Sequence, residues 1–257
     1  MALEINEQLL NQLCAISFEA GQIEMEYHQG LAEDMISTKG DQSPVTLADK
    51  KADDYICQQL AKLSDYLIVS EEGNRDFSSY NVSSKPYWLV DPLDGTKEFI
   101  KGIGEFSTNI ALIEKGIPIL GVVYAPALGQ MYAAARGMGL WYSKDYRENK
   151  EIAVVSEQDI RAQQQTNTLI MTSRNDDWRA LSQGCDKPFK AMGSSLKFAE
   201  VALGKAHSYV RRIGSYPWDV AAGEALCIYA LDKDGNKKSS LTYADPCALN
   251  EGFVIEL

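Results

Sequence analysis

Asp91 and Asp94 stand three residues apart in the run Trp88-Leu89-Val90-Asp91-Pro92-Leu93-Asp94-Gly95-Thr96. The apolar Trp88-Leu89-Val90 reads as the end of a buried strand. It delivers Asp91 to a strand tip, and Pro92, which has no N–H to donate, is predicted to end the pairing there. Two carboxylates on one Pro/Gly turn repel each other and resist burial. A hard divalent cation relieves both problems, so the turn reads as the floor of a magnesium site. Asp-Gly is also ordinary turn chemistry, and the turn by itself leaves both readings open.

Other carboxylates fall at comparable places. Leu67-Ile68-Val69-Ser70 is a short apolar run that leads directly into Glu71 and Glu72. Two successive strands that each end in acids predict a shared cleft at one edge of a sheet. Asp49 follows Thr46 with the spacing of a capping box, and a helix is predicted from Thr46 to about Lys62. Asp219 opens another predicted helix, where a carboxylate favours the macrodipole whatever else it does. The small run Ala221-Ala222-Gly223 after it would let that helix approach a neighbour closely. The turn differs from the Asp-x-Asp-Gly-Thr turn of haloacid-dehalogenase phosphatases by one residue, which displaces its second acid.

Composition narrows the chemistry. The chain has 257 residues, 45% of them hydrophobic and 24% charged, with a net charge of −11. Such a chain buries roughly three quarters of its extended surface. The acidity argues against a nucleic-acid polymer or an anionic membrane as partner. A small anionic substrate remains compatible if cations mediate the contact. The five cysteines (Cys14, Cys57, Cys185, Cys227 and Cys247) are odd in number and scattered, which predicts reduced thiols and a cytoplasmic setting. With two distant histidines, His28 and His207, a zinc site is not expected and any metal should be held by oxygen. No signal peptide and no transmembrane segment are predicted.

The elements that must position these acids follow from periodicity. Residues 3–27 read as a helix, with Leu9, Leu10, Leu13, Ile16, Ala20 and Ile23 on one face and Gly30 as its stop. Met35 to Pro44 reads as a polar loop. After the central turn, strands are predicted over Ser107–Ile113, Ile119–Tyr124, Met131–Ala135 and Gly139–Tyr142, with Gly116-Ile117-Pro118 connecting the first two. The charged stretch Ser143–Glu151 is taken as a seam, which divides the chain into halves 1–146 and 147–257. The second half alternates: strands over Leu169–Met171, Phe189–Met192, His207–Val210 and Phe253–Ile255, and helices over Asp177–Gln183, Ser194–Leu203 and Trp218–Tyr229. Alternation of this kind predicts an α/β fold.

The set Ser43-Pro44-Val45-Thr46-Leu47-Ala48-Asp49, Ser70-Glu71-Glu72-Gly73, Asp91-Pro92-Leu93-Asp94-Gly95-Thr96 and Trp218-Asp219-Val220-Ala221-Ala222-Gly223 resembles, in this order, the inositol monophosphatase superfamily of magnesium-dependent, lithium-sensitive phosphatases. The resemblance extends to the last residues, Thr242 to Phe253. It implies a layered αβαβα sandwich. It also implies that Glu71, Asp91 and the carbonyl of Leu93 hold one Mg²⁺, and that Asp91, Asp94 and Asp219 hold a second. A third ion would rest on Glu71. Gly95 and Thr96 would offer backbone N–H groups to the phosphate. Asp49 and Thr96 would orient and deprotonate the attacking water, and Glu72 would stand in the outer shell. No Cys-x₅-Arg signature or histidine pair points to a covalent phosphoenzyme.

Two further stretches bear on the substrate. Lys97-Glu98-Phe99-Ile100 and Gly193-Ser194-Ser195-Leu196-Lys197-Phe198 resemble the 3′(2′),5′-bisphosphate nucleotidases within that superfamily. The resemblance places Ser194, Lys197 and Arg211 against the nucleotide and its non-reacting phosphate. Arginine suits phosphate through its bidentate fork. Tyr229-Ala230-Leu231-Asp232 departs from the family's usual Glu-Ala-Gly-Gly at the nucleoside rim. The expected reaction is therefore removal of the 3′-phosphate of adenosine 3′,5′-bisphosphate, a small phosphate ester. An inositol monophosphatase or sugar-bisphosphate phosphatase of the same mechanism is one alternative. A non-catalytic nucleotide- or cation-binding regulator is the other.

Overall fold

The computed structural model describes residues 3–28, 36–38, 44–73, 80–174, 176, 184–236 and 241–257. Two sheets dominate it. The first has seven strands: β3 (Leu67–Ser70), β4 (Tyr87–Asp94), β5 (Ser107–Glu114), β6 (Ile117–Ala125), β7 (Gln130–Ala135), β8 (Gly139–Ser143) and β9 (Ala153–Val154), side by side in chain order. β3 and β4 run parallel and every later pair is antiparallel. The second sheet holds β10 (Ile170–Ser173), β11 (Phe189–Met192), β12 (Ser208–Arg211) and β13 (Phe253–Glu256), in the order β11-β10-β12-β13. Its first three strands are parallel and β13 is antiparallel to β12. A small hairpin of β1 (Ile36–Thr38) and β2 (Pro44–Thr46) precedes them.

Helices α1 (Glu7–His28) and α2 (Leu47–Leu63) cover one face of the seven-stranded sheet. Side chains alternate along each strand, so one strand serves two cores. Trp88, Val90, Ile110, Leu112 and Val122 pack under α1 and α2. Leu89, Ala111, Ile113 and Val123 pack on the other face. That second core also holds α6 (Leu196–Ala202), α7 (Pro217–Ala230) and residues of the four-stranded sheet. The result is the α/β sandwich that the alternation and the resemblance imply. Burial on both faces explains why β6 is apolar almost throughout, whereas β5 is buried but opens on the polar Ser107-Thr108-Asn109.

Small residues set the spacing between layers, those of the run Ala221-Ala222-Gly223 and Gly121 opposite it. A Cβ on Gly121 of β6 would lie 2.4 Å from the carbonyl oxygen of Ala222. A Cβ on Gly223 would lie 2.5 Å from the ring of Phe198. Helix α7 therefore rests directly on the sheet on one side and on α6 on the other.

Four expectations change. Pro92 does not end the pairing: β4 continues to Asp94 through a register shift between Asp91 and Asp94. A bulge leaves one residue unpaired, which is where a strand tolerates proline. The β5–β6 turn is Lys115-Gly116, both at positive φ, so Ile117 already belongs to β6. Positive φ at both central residues is what a two-residue hairpin needs. The helix predicted from Ser194 starts at Leu196, because Ser194 has φ of 49°. Ile23 is only half-buried on α1, and Glu24 is buried instead.

The stretch 143–151 contains the short helix α4 (Tyr146–Asn149), and β9 then pairs with β8. Two further helices, α3 (Thr96–Ile100) and α5 (Glu157–Thr166), complete those in the described residues. The helix predicted over Asp177–Gln183, the stop at Gly30 and most of the predicted loop before Pro44 lie outside the described residues. Among the described residues no helix is long and apolar enough to cross a membrane.

Candidate active site

Parallel pairing of β3 and β4 sets Ser70 opposite Val90, so both strands end together. The N–H of Glu71 donates to the carbonyl of Val90 at 3.0 Å, which fixes Glu71 beside Asp91. The third acid comes from α7. Pro217 opens that helix, where its missing N–H costs nothing. Asp219 Oδ2 accepts from the N–H of Tyr216 at 3.0 Å. The residue thus has the capping role that its position predicts and still presents a carboxylate oxygen forward. Oxygens of Glu71, Asp91 and Asp219 all lie within 4.8 Å of one another.

Asp91 is 1% exposed. Burial, reinforced by repulsion from Glu71, Asp94 and Asp219, holds its carboxyl well above the usual carboxylate range. Burial and the charges of Glu71 and Asp94 do the same to Asp219. The donor set is all oxygen, crowded and mutually repelling. It fits a hard divalent cation, which such oxygens bind and which removes the repulsion.

The bulge in β4 turns the chain after Asp91. The N–H of Leu93 donates to Asp91 Oδ1 at 3.1 Å. Gly95 has φ of 97° and sits under the backbone of Glu105 and Phe106, so no side chain is accommodated there. α3 begins at the next residue. It is anchored by Phe99, whose ring meets Phe106 edge-on at 5.0 Å.

Thr96 Oγ1 stands 3.1 Å from Asp49 Oδ1 and 3.2 Å from the carbonyl oxygen of Leu93. Asp49 Oδ2 accepts from the N–H and hydroxyl of Thr46 at 2.8 and 2.5 Å, so the predicted capping box is present. Burial raises the Asp49 carboxyl to about 6, against the Thr46 bonds and with repulsion from Glu72 and Glu71.

Asp94, Gly95, Thr96, Ser194, Lys197, Arg211 and Asp219, expected on sequence grounds to touch substrate or its ions, line one cleft that opens to solvent. Glu71, Glu72, Asp91, Leu93 and Asp49 are not on its wall. Asp219 is the residue that joins the acid cluster to the cleft.

Lys197 is buried, and its Nζ donates to the carbonyls of Met192, at 3.1 Å, and Ser194. Burial, opposed by Asp94 and helped by Arg211, lowers its ammonium to about 8. Arg211 Nε and Nη2 donate to the carbonyls of Ile213 and Gly214 at 3.0 and 3.4 Å. Those bonds fix both cations on the cleft wall.

Sequence reasoning passed over three residues. Arg174, at the end of β10, lines the cleft and donates to Glu105 Oε2 at 2.6 and 3.1 Å. Its place after a strand end was a usable signal. Asn109 Nδ2 reaches Asp94 Oδ2 at 3.3 Å and Ser195 Oγ at 3.0 Å. Neither Asn109 nor Ser195 carries a local signal, since each reads as an ordinary polar residue of its element.

Comparison with known proteins agrees with the geometry. The model of the inositol monophosphatase family matches residues 5–228. The chain is similar to a Salmonella typhimurium protein named 3′(2′),5′-bisphosphate nucleotidase CysQ, at 41% identity over 86% of this chain and 88% of that one. The protein of the same name from Buchnera aphidicola is 36% identical over 96% of this chain and 92% of its own. Among solved structures, CysQ from Bacteroides thetaiotaomicron superposes with a TM-score of 0.75 at 30% identity, covering 96% of each chain.

Proposed function

This chain belongs to the inositol monophosphatase family, and we propose that it removes the 3′-phosphate of adenosine 3′,5′-bisphosphate to give AMP and phosphate. One observation carries the reading. A single cleft has acids at one end, through Asp219, and the fixed cations Lys197 and Arg211 on its wall. A bisphosphate needs both features, one for the reacting group and one for the group that stays. The names of the similar proteins support the choice of nucleotide.

Glu71, Asp91, Asp94, Asp219 and the carbonyl of Leu93 would hold two Mg²⁺, with Asp91 shared and a third, looser ion beside Glu71. Bound divalent ions neutralise the phosphate charge and lower the pKa of water. Thr96 places the attacking water with its hydroxyl oxygen, passing its own proton to Asp49 Oδ1 as it takes one from the water. Asp49 is the proton acceptor, and its raised carboxyl suits that task near neutral pH. Backbone N–H groups of Gly95 and Thr96 receive the phosphate. Lys197 keeps one N–H beyond its two carbonyl bonds. With Arg211 and Ser194 it receives the non-reacting 5′-phosphate. Glu72 sustains the field that raises Asp49. The reaction belongs in the cytoplasm, where scattered thiols stay reduced.

The test is phosphate release with Mg²⁺ from adenosine 3′,5′-bisphosphate, inositol 1-phosphate and fructose 1,6-bisphosphate in parallel. A strong preference for the first, lost in Asp94→Asn and suppressed by lithium, is the expected result. Preference for either of the others would keep the metal chemistry and remove the roles given to Lys197 and Arg211.

A further inference from the structure

Asp94 ends β4 and Asp219 lies in the first turn of α7, and a continuous chain of hydrogen bonds joins them. Ser107 Oγ donates to Asn109 Oδ1 at 3.0 Å. That bond fixes the orientation of the amide, because the acceptor end is then taken. Both amide hydrogens point onward, one to Asp94 Oδ2 at 3.3 Å and one to Ser195 Oγ at 3.0 Å. The Ser195 hydroxyl, having accepted from Asn109, donates to the backbone carbonyl of Asp219 at 2.7 Å. Each member of the chain has its partner, and the Ser195 hydroxyl is hydrogen-bonded to the Asp94 carboxylate as well.

Asn109 and Ser195 are each 1% exposed. In such surroundings a fully satisfied polar chain rigidifies what it connects. Asn109 is also the cross-strand partner of Asp91 in the β4–β5 ladder. Its backbone therefore follows Asp91 while its side chain holds Asp94 and, through Ser195, the first turn of α7.

We propose that Asn109 and Ser195 are positioning residues that set the separation of Asp94 and Asp219, and so the affinity of the ion those two carboxylates share with Asp91. The inference rests on the two-ion reading of the site. Without the amide, Asp94 is free to swing on its bulge. Without the hydroxyl, the N-terminus of α7 loses its tie to β5. Either change widens one ion's site and leaves the site of Glu71, Asp91 and Leu93 untouched. A purely structural pair would lower stability without distinguishing between ions.

Calorimetric titration of Mn²⁺ into the unmodified protein, Ser195→Ala, Asn109→Leu and the double variant tests this, with thermal midpoints measured alongside. The expected result is one bound ion weakened about tenfold or more in each single variant and another changed less than twofold. The double variant should be no worse than the poorer single, since both residues act through one chain of bonds. Two ions bound with the same affinities in all four proteins would overturn the inference and leave the proposed reaction standing. Equal weakening of both ions would overturn it as well. A single ion per unmodified chain would overturn it together with the two-ion reading. If Asn109→Leu does not fold, Ser195→Ala decides alone.

Discussion

The hydroxyl of Thr96 stands 3.1 Å from Oδ1 of Asp49, 47 residues earlier in the chain. One residue follows the bulged end of β4 and the other sits in the first turn of α2. Each has a local structural task, α3 initiation for Thr96 and helix capping for Asp49. Their meeting adds a polarised pair beside the acid cluster. Asp49→Asn keeps shape and capping but cannot accept a proton. It should lower kcat by roughly 10²–10⁴ with little change in KM, the usual range for removing a general base. Steady-state kinetics on adenosine 3′,5′-bisphosphate would show this, and an unchanged kcat would remove Asp49 from the mechanism.

Removal of metal should have a pH-dependent effect on stability. Asp91 and Asp219 have folded pKa values raised above their unfolded ones. The metal-free fold then binds more protons than the unfolded chain above the ordinary carboxylate pKa. Their contribution is fully present below that pKa and is lost as pH rises through the raised values. Mg²⁺ should therefore raise Tm more at pH 7.5 than at pH 5. At a hundredfold excess over Kd the gain is ~2.7 kcal/mol, or about 5–10 °C for a domain of this size. Melting with Mg²⁺ or EDTA at the two pH values checks it. Equal shifts would contradict the electrostatic account.

Lys197 should discriminate between substrates. Lys197→Ala is expected to weaken use of adenosine 3′,5′-bisphosphate more than use of inositol 1-phosphate, because only the former has a second phosphate to hold. Equal losses would sink that assignment. Its ammonium is lowered to about 8 by burial, so charge, and with it nucleotide affinity, should fall as pH rises through 8. The linkage for folding has the opposite sense. The cost of burying the charge is fully present below pH 8 and is relieved between there and the unfolded lysine value of about 10.4. Inhibition constants of AMP measured from pH 7 to 9, in the unmodified protein and in Lys197→Ala, would separate this residue from the carboxylates.

Packing also reaches the site. Gly121→Ala would place a methyl 2.4 Å from the Ala222 carbonyl. The helix α7 must then rise off β6 and carry Asp219 with it. Overpacking of this kind costs about 1–3 kcal/mol, and the apparent Mg²⁺ affinity should fall along with Tm. A variant that loses stability but binds Mg²⁺ normally would show that Asp219 is placed by other contacts.

Much of this protein was legible in its sequence. The strands β5 to β8 and the helices α1, α2 and α7 follow from hydrophobic periodicity, because layers buried on two faces need continuous apolar runs. The acids were legible for another reason: carboxylates at strand ends and helix starts, next to Pro and Gly, are costly unless something binds them. The family resemblance then grouped them. Local pattern does not encode how far a strand runs through a proline, and pairing with Asn109 and Ser107 carried β4 past Pro92 to Asp94.

Distances between remote segments were decided only by the tertiary structure. Parallel pairing of β3 with β4 and the close seat of α7 at Gly121 bring Glu71, Asp91 and Asp219 within 4.8 Å. Asn109 and Ser195 became recognisable only there. A buried amide or hydroxyl takes its role from the partners it meets, and those partners lie on other elements. The sequence determined which groups carry charge, whereas packing determined which of them share a site, because electrostatic coupling depends on separation and burial rather than on order along the chain.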